Sequence, residues 1–418
     1  MNIAVYLYML FLYVRPQDWV EGFIGFPTAT IVIPLGLLIG FSQYRKNPDY
    51  YKIPQNKLFI YYLIVIFVAT LLAVDFYSGR LQFIEFLKRI LVFYMMIWTI
   101  NTEKRLRNVL IVMAALSAFL AYQAILQATT GQSWGGLTVY PGYDVIRVRW
   151  YGDWDGPNVY GLLFVMACAI AAGMMFGHHK LFTRLAGFAL FSLYFTAIYF
   201  TNSRGAILAV LASIFFYFII RIKNKIKFLI YSPIVLLPLL FLAPSRMSEV
   251  SSDEESAHQR TWLWEQGLAM LKENPVFGIG RGEFANNTDL KLIAHNNYVQ
   301  NFAELGLVGF FLFISILWFT FKGNYVSVKN MEASPLRSLN QIMLMMMVGY
   351  ASATFFIVME LDLFYFFLGL ASATYLVSRD KVKVIPKIEF TKNDLIIIFS
   401  SMFGLIFVIW VAAVLEIV

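Results

Sequence analysis

A chain of 418 residues that is 60% hydrophobic, 17% aromatic and only 14% charged, with a mean hydropathy of +0.67, cannot present a water-soluble surface, because soluble domains carry about 25% charged residues. That excludes a cytosolic enzyme, a disordered scaffold and a nucleic-acid reader, and the net charge of +8 needs no nucleic-acid partner, since Lys and Arg gather on cytoplasmic loops of membrane proteins. One cysteine, Cys168, and four histidines leave no material for an intrachain disulfide, a cysteine cage or a His-rich site, so neither metal nor cofactor is expected.

A helix needs about 20 apolar residues to cross a hydrocarbon core about 30 Å thick. Stretches near that size fall at 1–14, 24–41, 58–74, 81–100, 106–126, 157–176, 185–201, 205–220, 228–243, 297–321, 339–358, 362–377 and 394–416. The expected fold is an all-α polytopic membrane protein of twelve or thirteen transmembrane helices. The first stretch lacks a positive n-region and a cleavage site and reads as a retained span. With the N-terminus inside, the inner gaps 42–57, 101–105, 177–184, 221–227, 322–338 and 378–393, with the adjoining Arg107, hold 21 of the 33 basic residues. Basic residues resist translocation, so this register puts the long segments 127–156 and 244–296 outside. The organisation expected is helices over 1–243, an outer loop over 244–296, and helices again over 297–418.

The first outer segment contains RVRWYGDWDGPN, in which Arg147, Arg149, Trp154 and Asn158 combine ring faces for sugar C–H groups with partners for hydroxyls. The same mixture suits an interfacial aromatic belt. Within span 81–100, Glu85, Lys88 and Arg89 read as an i,i+3 and i,i+4 set. In the second outer segment Ser256 and Gln259 have capping-box spacing, and Trp264, Leu268 and Leu271 make one apolar face before Pro275. These predict a short helix lying on the membrane, Trp side down.

Three positively charged or titratable positions stand out on the outer side. His295, in AHNNYVQNFAELG, enters a span where the helix N-terminus disfavours imidazolium; it is a candidate general base or an interfacial cap. Arg204, in the tight break NSRG, lies at headgroup level, as a phosphate ligand or a snorkelled side chain. Arg260, with Arg281 as a weaker partner, offers a planar fork suited to diphosphate oxygens, or a solvated charge among acidic neighbours.

The ordered series TNSRGA, RTWLWEQG, NPVFGIG and HNNYVQNFAELGLVG resembles the O-antigen ligase and polymerase superfamily. The resemblance implies a GT-C-like membrane glycosyltransferase of the bacterial inner membrane whose site faces the periplasm. It implies transfer, without metal, of a glycan from undecaprenyl diphosphate, with a lipid A-core acceptor preferred here over a growing chain or protein hydroxyls. Its essential histidine and arginines carry over to His295, Arg204 and Arg260, with Asn296 and Tyr298 of the same motif as glycan or acceptor contacts. Expected partners are the lipid-linked glycan, the acceptor and membrane lipids. A polyprenyl-glycan flippase is the alternative from another class, but it calls for internal repeats and midplane polar groups. The thirteenth span departs from the usual twelve.

Overall fold

The computed structural model describes residues 3–44, 52–73, 75–142, 145–177, 180–222, 224–225, 227, 250–358 and 360–415. Among them are thirteen α-helices and no strand, with one isolated antiparallel bridge between Gln132 and Thr138. In chain order the helices are α1 (Ile3–Tyr13), α2 (Thr28–Tyr44), α3 (Pro54–Leu72), α4 (Phe76–Thr99), α5 (Glu103–Thr130), α6 (Pro157–Phe176), α7 (Leu181–Thr201) and α8 (Arg204–Ile219), then α9 (Val250–Glu273), α10 (Asn297–Asn330), α11 (Pro335–Ala353), α12 (Asp362–Lys381) and α13 (Lys392–Val414). Twelve of the thirteen apolar stretches coincide with helices; the stretch 228–243 and the loop start 244–249 lie outside the described residues.

Six helices, α3, α5, α6, α7, α10 and α13, are long and apolar enough to cross a membrane, and the protein is a multi-pass membrane protein. At 1.5 Å per residue, the 11 residues of α1 reach only about 17 Å, half a hydrocarbon core. Of the apolar stretch of α6, 78% is buried, against 22% for α7 and 17% for α13, so α6 is central and the other two face lipid. Around α6 pack α5, α7, α8 and α11, while α12 joins α4 to α10 and α3 lies along α10.

Helix starts follow capping chemistry. Side-chain oxygens of Thr102, Ser203, Asn296, Ser334 and Thr391 accept from first-turn N–H groups of α5, α8, α10, α11 and α13, which no carbonyl of those helices can reach. At one end of the bundle Lys381 pairs with Glu103 at 2.5 Å, Lys322 with Asp394 at 2.7 Å, and Arg221 donates to Gln341 at 2.9 Å. Segments 131–156, 274–296 and 354–361 collect at the other, here called the loop end.

Candidate active site at the loop end

The core of the loop end is a break in α10. Gly306 has φ 64° and ψ −168°, a conformation essentially reserved for glycine. A turn there opens the rungs from Leu307 and Val308 back to the carbonyls of Ala303 and Glu304. The NPVFGIG segment replaces both. Ile279 and Gly280 N–H donate to the Ala303 and Glu304 carbonyls, each at 3.0 Å, while Leu307 and Val308 N–H donate to the Pro275 and Val276 carbonyls at 2.8 and 3.3 Å. The approach is so close that a β-carbon on Gly278 would lie 2.3 Å from the Glu304 carbonyl carbon, and one on Gly306 would lie 2.3 Å from the Val276 oxygen. The glycine spacing of the two motifs is thus the stereochemistry of one strap laid into one broken helix.

His295 sits just before the cap of α10. Its backbone is left-handed, φ 48°, which costs about 1–2 kcal/mol outside glycine and turns the chain so that Asn296 can accept from Tyr298 and Val299 N–H at 2.9 and 3.2 Å. Burial, and after it the positive charge of Arg260, lower the His295 pKa from 6.5 to about 4. The ring is therefore neutral at physiological pH. The helix N-terminus predicts the same direction, but desolvation and an arginine are the causes found. Arg204 begins α8 with an exposed side chain. Next to it, a β-carbon on Gly205 would lie 2.9 Å from the Phe356 ring. Phe356 packs on Phe355, Phe355 meets Trp264 edge-on at 5.3 Å, and Trp264 Nε1 donates to the Ala294 carbonyl at 3.0 Å. One aromatic chain thus links the start of α8 to the residue before His295.

Arg281, Tyr298 and Asn296 each have partners within the protein. Arg281 is 8% exposed and held by two carboxylates, Glu360 at 2.8 Å and Glu304 at 3.6 Å, a pairing that braces the site. Tyr298 donates to the Ala351 carbonyl at 2.7 Å and packs against Phe313 and Phe355, pinning α10 to α11 where a glycan contact was expected. Asn296 caps its helix, though its buried Nδ2 finds no partner among the described residues.

In the first outer segment the tryptophans close α1. Trp154 and Trp150 Nε1 donate to the Leu12 and Val14 carbonyls at 3.0 and 2.9 Å, groups orphaned at a helix C-terminus. Both rings are fully buried. Arg147 donates to Asn158 at 3.2 Å, and Arg149 to the Thr138 carbonyl and Asp155 at 3.0 and 2.9 Å. All four candidates there have partners within the protein. The second-segment helix is 24 residues long, starts at Val250, before Ser256, and turns Trp264 onto protein, leaving Trp262 as the exposed indole. Finally, Lys88 does pair with Glu85, but Arg89 reaches across to Asp362 at 3.5 Å.

Sequence reasoning missed Glu360. Its buried carboxylate accepts from Tyr62 of α3 at 3.3 Å, Arg281 at 2.8 Å, Asn301 of α10 at 3.2 Å, and Tyr365 of α12. One anion thus ties three helices to the strap. The available signal was two acidic residues, Glu360 and Asp362, in the short junction between two apolar spans. Among the described residues, no group of three or more His, Cys, Asp or Glu side chains could hold a metal ion.

A multi-helix bundle carrying a strapped loop, with a neutral histidine beside the charge of Arg260, defines a membrane protein with a polar site at its loop end. Residues 185–314 match the family model described as O-antigen ligase. This segment encloses Arg204, Arg260, Arg281, His295 and the break at Gly306. No curated protein matches the chain.

Proposed function

We propose that the protein is an O-antigen ligase of the bacterial inner membrane, transferring a preassembled glycan from undecaprenyl diphosphate to a lipid A-core hydroxyl on the periplasmic face. The observation that carries this reading is the pairing of a neutral His295 with the Arg260 charge inside the matched segment. In this mechanism Arg204 and Arg260 meet the charge that develops on the departing diphosphate. His295 takes the proton from the acceptor hydroxyl, whose oxygen attacks the anomeric carbon as the diphosphate leaves, inverting that centre. The imidazolium then faces the anionic product, whose charge offsets that of Arg260, and loses its proton to water. No step draws on a metal or cofactor.

A polymerase or a protein O-oligosaccharyltransferase would share everything except the acceptor. Broken helices also occur in transporters, where they surround a midplane site; the break in α10 lies at the loop end and is closed by the strap, which favours transfer. The test is reconstituted protein with lipid-linked glycan and lipid A-core. Transfer should survive a chelator, and His295→Ala should lower it about 10²- to 10⁴-fold. Near-normal turnover by that variant, or activity that a chelator stops and a divalent ion restores, overturns the reading.

A further inference from the structure

A second polar site lies outside the His295 region. A cavity of about 340 Å³ opens between α1, α2 and α4, lined by Tyr8, Phe26, Glu85, Arg89, Asp153 and Asp362 among others. That volume is at the lower end of the range of about 300–1,000 Å³ typical of small-ligand pockets. Its rim and floor are built from cross-chain contacts. Arg15 bonds Asp153 at 2.7 Å, Arg89 reaches Asp362 at 3.5 Å, and the Tyr8 phenol donates to Asp362 at 3.0 Å.

Two features show what the cavity is suited to hold. Glu85 and Lys88 lie well inside α4, Glu85 nine residues and about 14 Å from its start, yet their side chains are 47% and 44% exposed. A charged pair this exposed suits a wetted surface, and Glu85 is the member that lines the cleft. The second feature is the charge pattern. Arg15 and Arg89 each have a carboxylate partner, and Glu85, Asp153 and Asp362 leave the lining slightly acidic, which disfavours a phosphate or carboxylate guest. Alternating guanidinium and carboxylate groups match sugar hydroxyls, each of which both donates and accepts. Phe26, 37% exposed and stacked on Phe11 at 5.5 Å, adds ring surface for the C–H face of a pyranose.

We propose that this cleft is a glycan subsite that takes an uncharged pyranose ring, distinct from the diphosphate-binding end of the site. Its role in catalysis rests on the transfer reading above; the binding itself does not. The ring belongs either to the acceptor or to the glycan of the donor, and the chemistry of the cleft is the same for both.

The test uses the full chain in lipid nanodiscs with free glucose, galactose, mannose, rhamnose and N-acetylglucosamine, observed by saturation-transfer NMR. At least one sugar should receive saturation. Phe26→Ala and Asp153→Asn should each weaken its binding about tenfold, about 1.4 kcal/mol, Phe26→Trp should restore it, and His295→Ala and Arg204→Ala should leave it unchanged. A panel in which no sugar receives saturation overturns the proposal. So does a signal that vanishes in the Arg204 or His295 variants but persists in Phe26→Ala, which would put the sugar at the other site. In the transfer assay, Phe26→Ala should raise KM for one substrate only, the acceptor or the lipid-linked donor, and so identify the source of the ring; unchanged KM for both overturns the role. If the protein transfers nothing, the transfer reading fails while the NMR arm still decides the cleft.

Discussion

Replacing Arg260 with glutamine should move the protonation of His295, and the direction and size follow from the site. The fall in pKa from 6.5 to about 4 corresponds to about 3 kcal/mol of preference for the neutral ring. Burial is the larger cause and Arg260 the second, so the arginine accounts for the smaller part of that preference. In the free enzyme kcat/KM should stay level as pH falls from 7 and drop only as it approaches 4. A diphosphate bound to Arg260 offsets its charge, so the inflection in kcat should lie above that in kcat/KM. Arg260→Gln should raise the kcat/KM inflection partway toward 6.5 and abolish the gap between the two profiles. Stability carries the same signature. Between about 4 and 6.5 the ring is neutral when folded and charged when unfolded. Stability is therefore full above this window and declines by about 3 kcal/mol as pH falls through it. His295→Gln should flatten that slope in thermal melts of detergent-solubilised protein. A wild-type kcat/KM inflection at 6.5, or one that Arg260→Gln leaves in place, would refute the coupling.

The other predictions concern the frame. Gly306→Ala places a β-carbon 2.3 Å from the Val276 oxygen in a glycine-only conformation, and should cost about 3 kcal/mol or more in melting experiments; Gly404→Ala, with nothing within 4 Å, should be near neutral. Glu360→Gln strips Arg281 of its 2.8 Å partner and should destabilise by about 3–5 kcal/mol, with Arg281→Met recovering part of it in the double variant. A changed donor KM for Arg281→Lys at unchanged melting temperature would instead restore Arg281 as a diphosphate ligand. Trp154→Phe loses the bond to the Leu12 carbonyl and should cost about 1 kcal/mol with turnover per folded molecule intact; lost transfer at unaltered stability would return Trp154 to the glycan.

Much of the helical layout was readable in the sequence because desolvation acts on runs of residues, and a run is a local property. The caps at Thr102, Ser203 and Ser334 are legible for the same reason, each bonding an N–H three residues on. Legibility failed where a partner is remote. Nothing near Trp154 says that its indole N–H meets a carbonyl 142 positions earlier, and a Trp-rich loop reads equally as a sugar platform. Arg281 looked available because its carboxylates lie 79 and 23 positions away. The break at Gly306 is hidden because apolar periodicity continues through it; only the glycine pairing with NPVFGIG marks it. The His295 and Arg260 pairing was legible only as two residues of one ordered motif series.

On the proposed transfer reading, the strap across α10 also restricts how a bulky lipid-linked molecule can come and go. Four main-chain bonds hold residues 275–280 in the break, and lifting them would leave eight peptide groups without partners at the edge of the hydrocarbon, each at a cost of several kcal/mol. Residues 275–280 therefore form a fixed wall along the break. On the proposed transfer reading, a long prenyl chain would slide in sideways from the bilayer, between helices, and leave by the same lateral route, and the rate of turnover should then depend on the fluidity of the surrounding lipid.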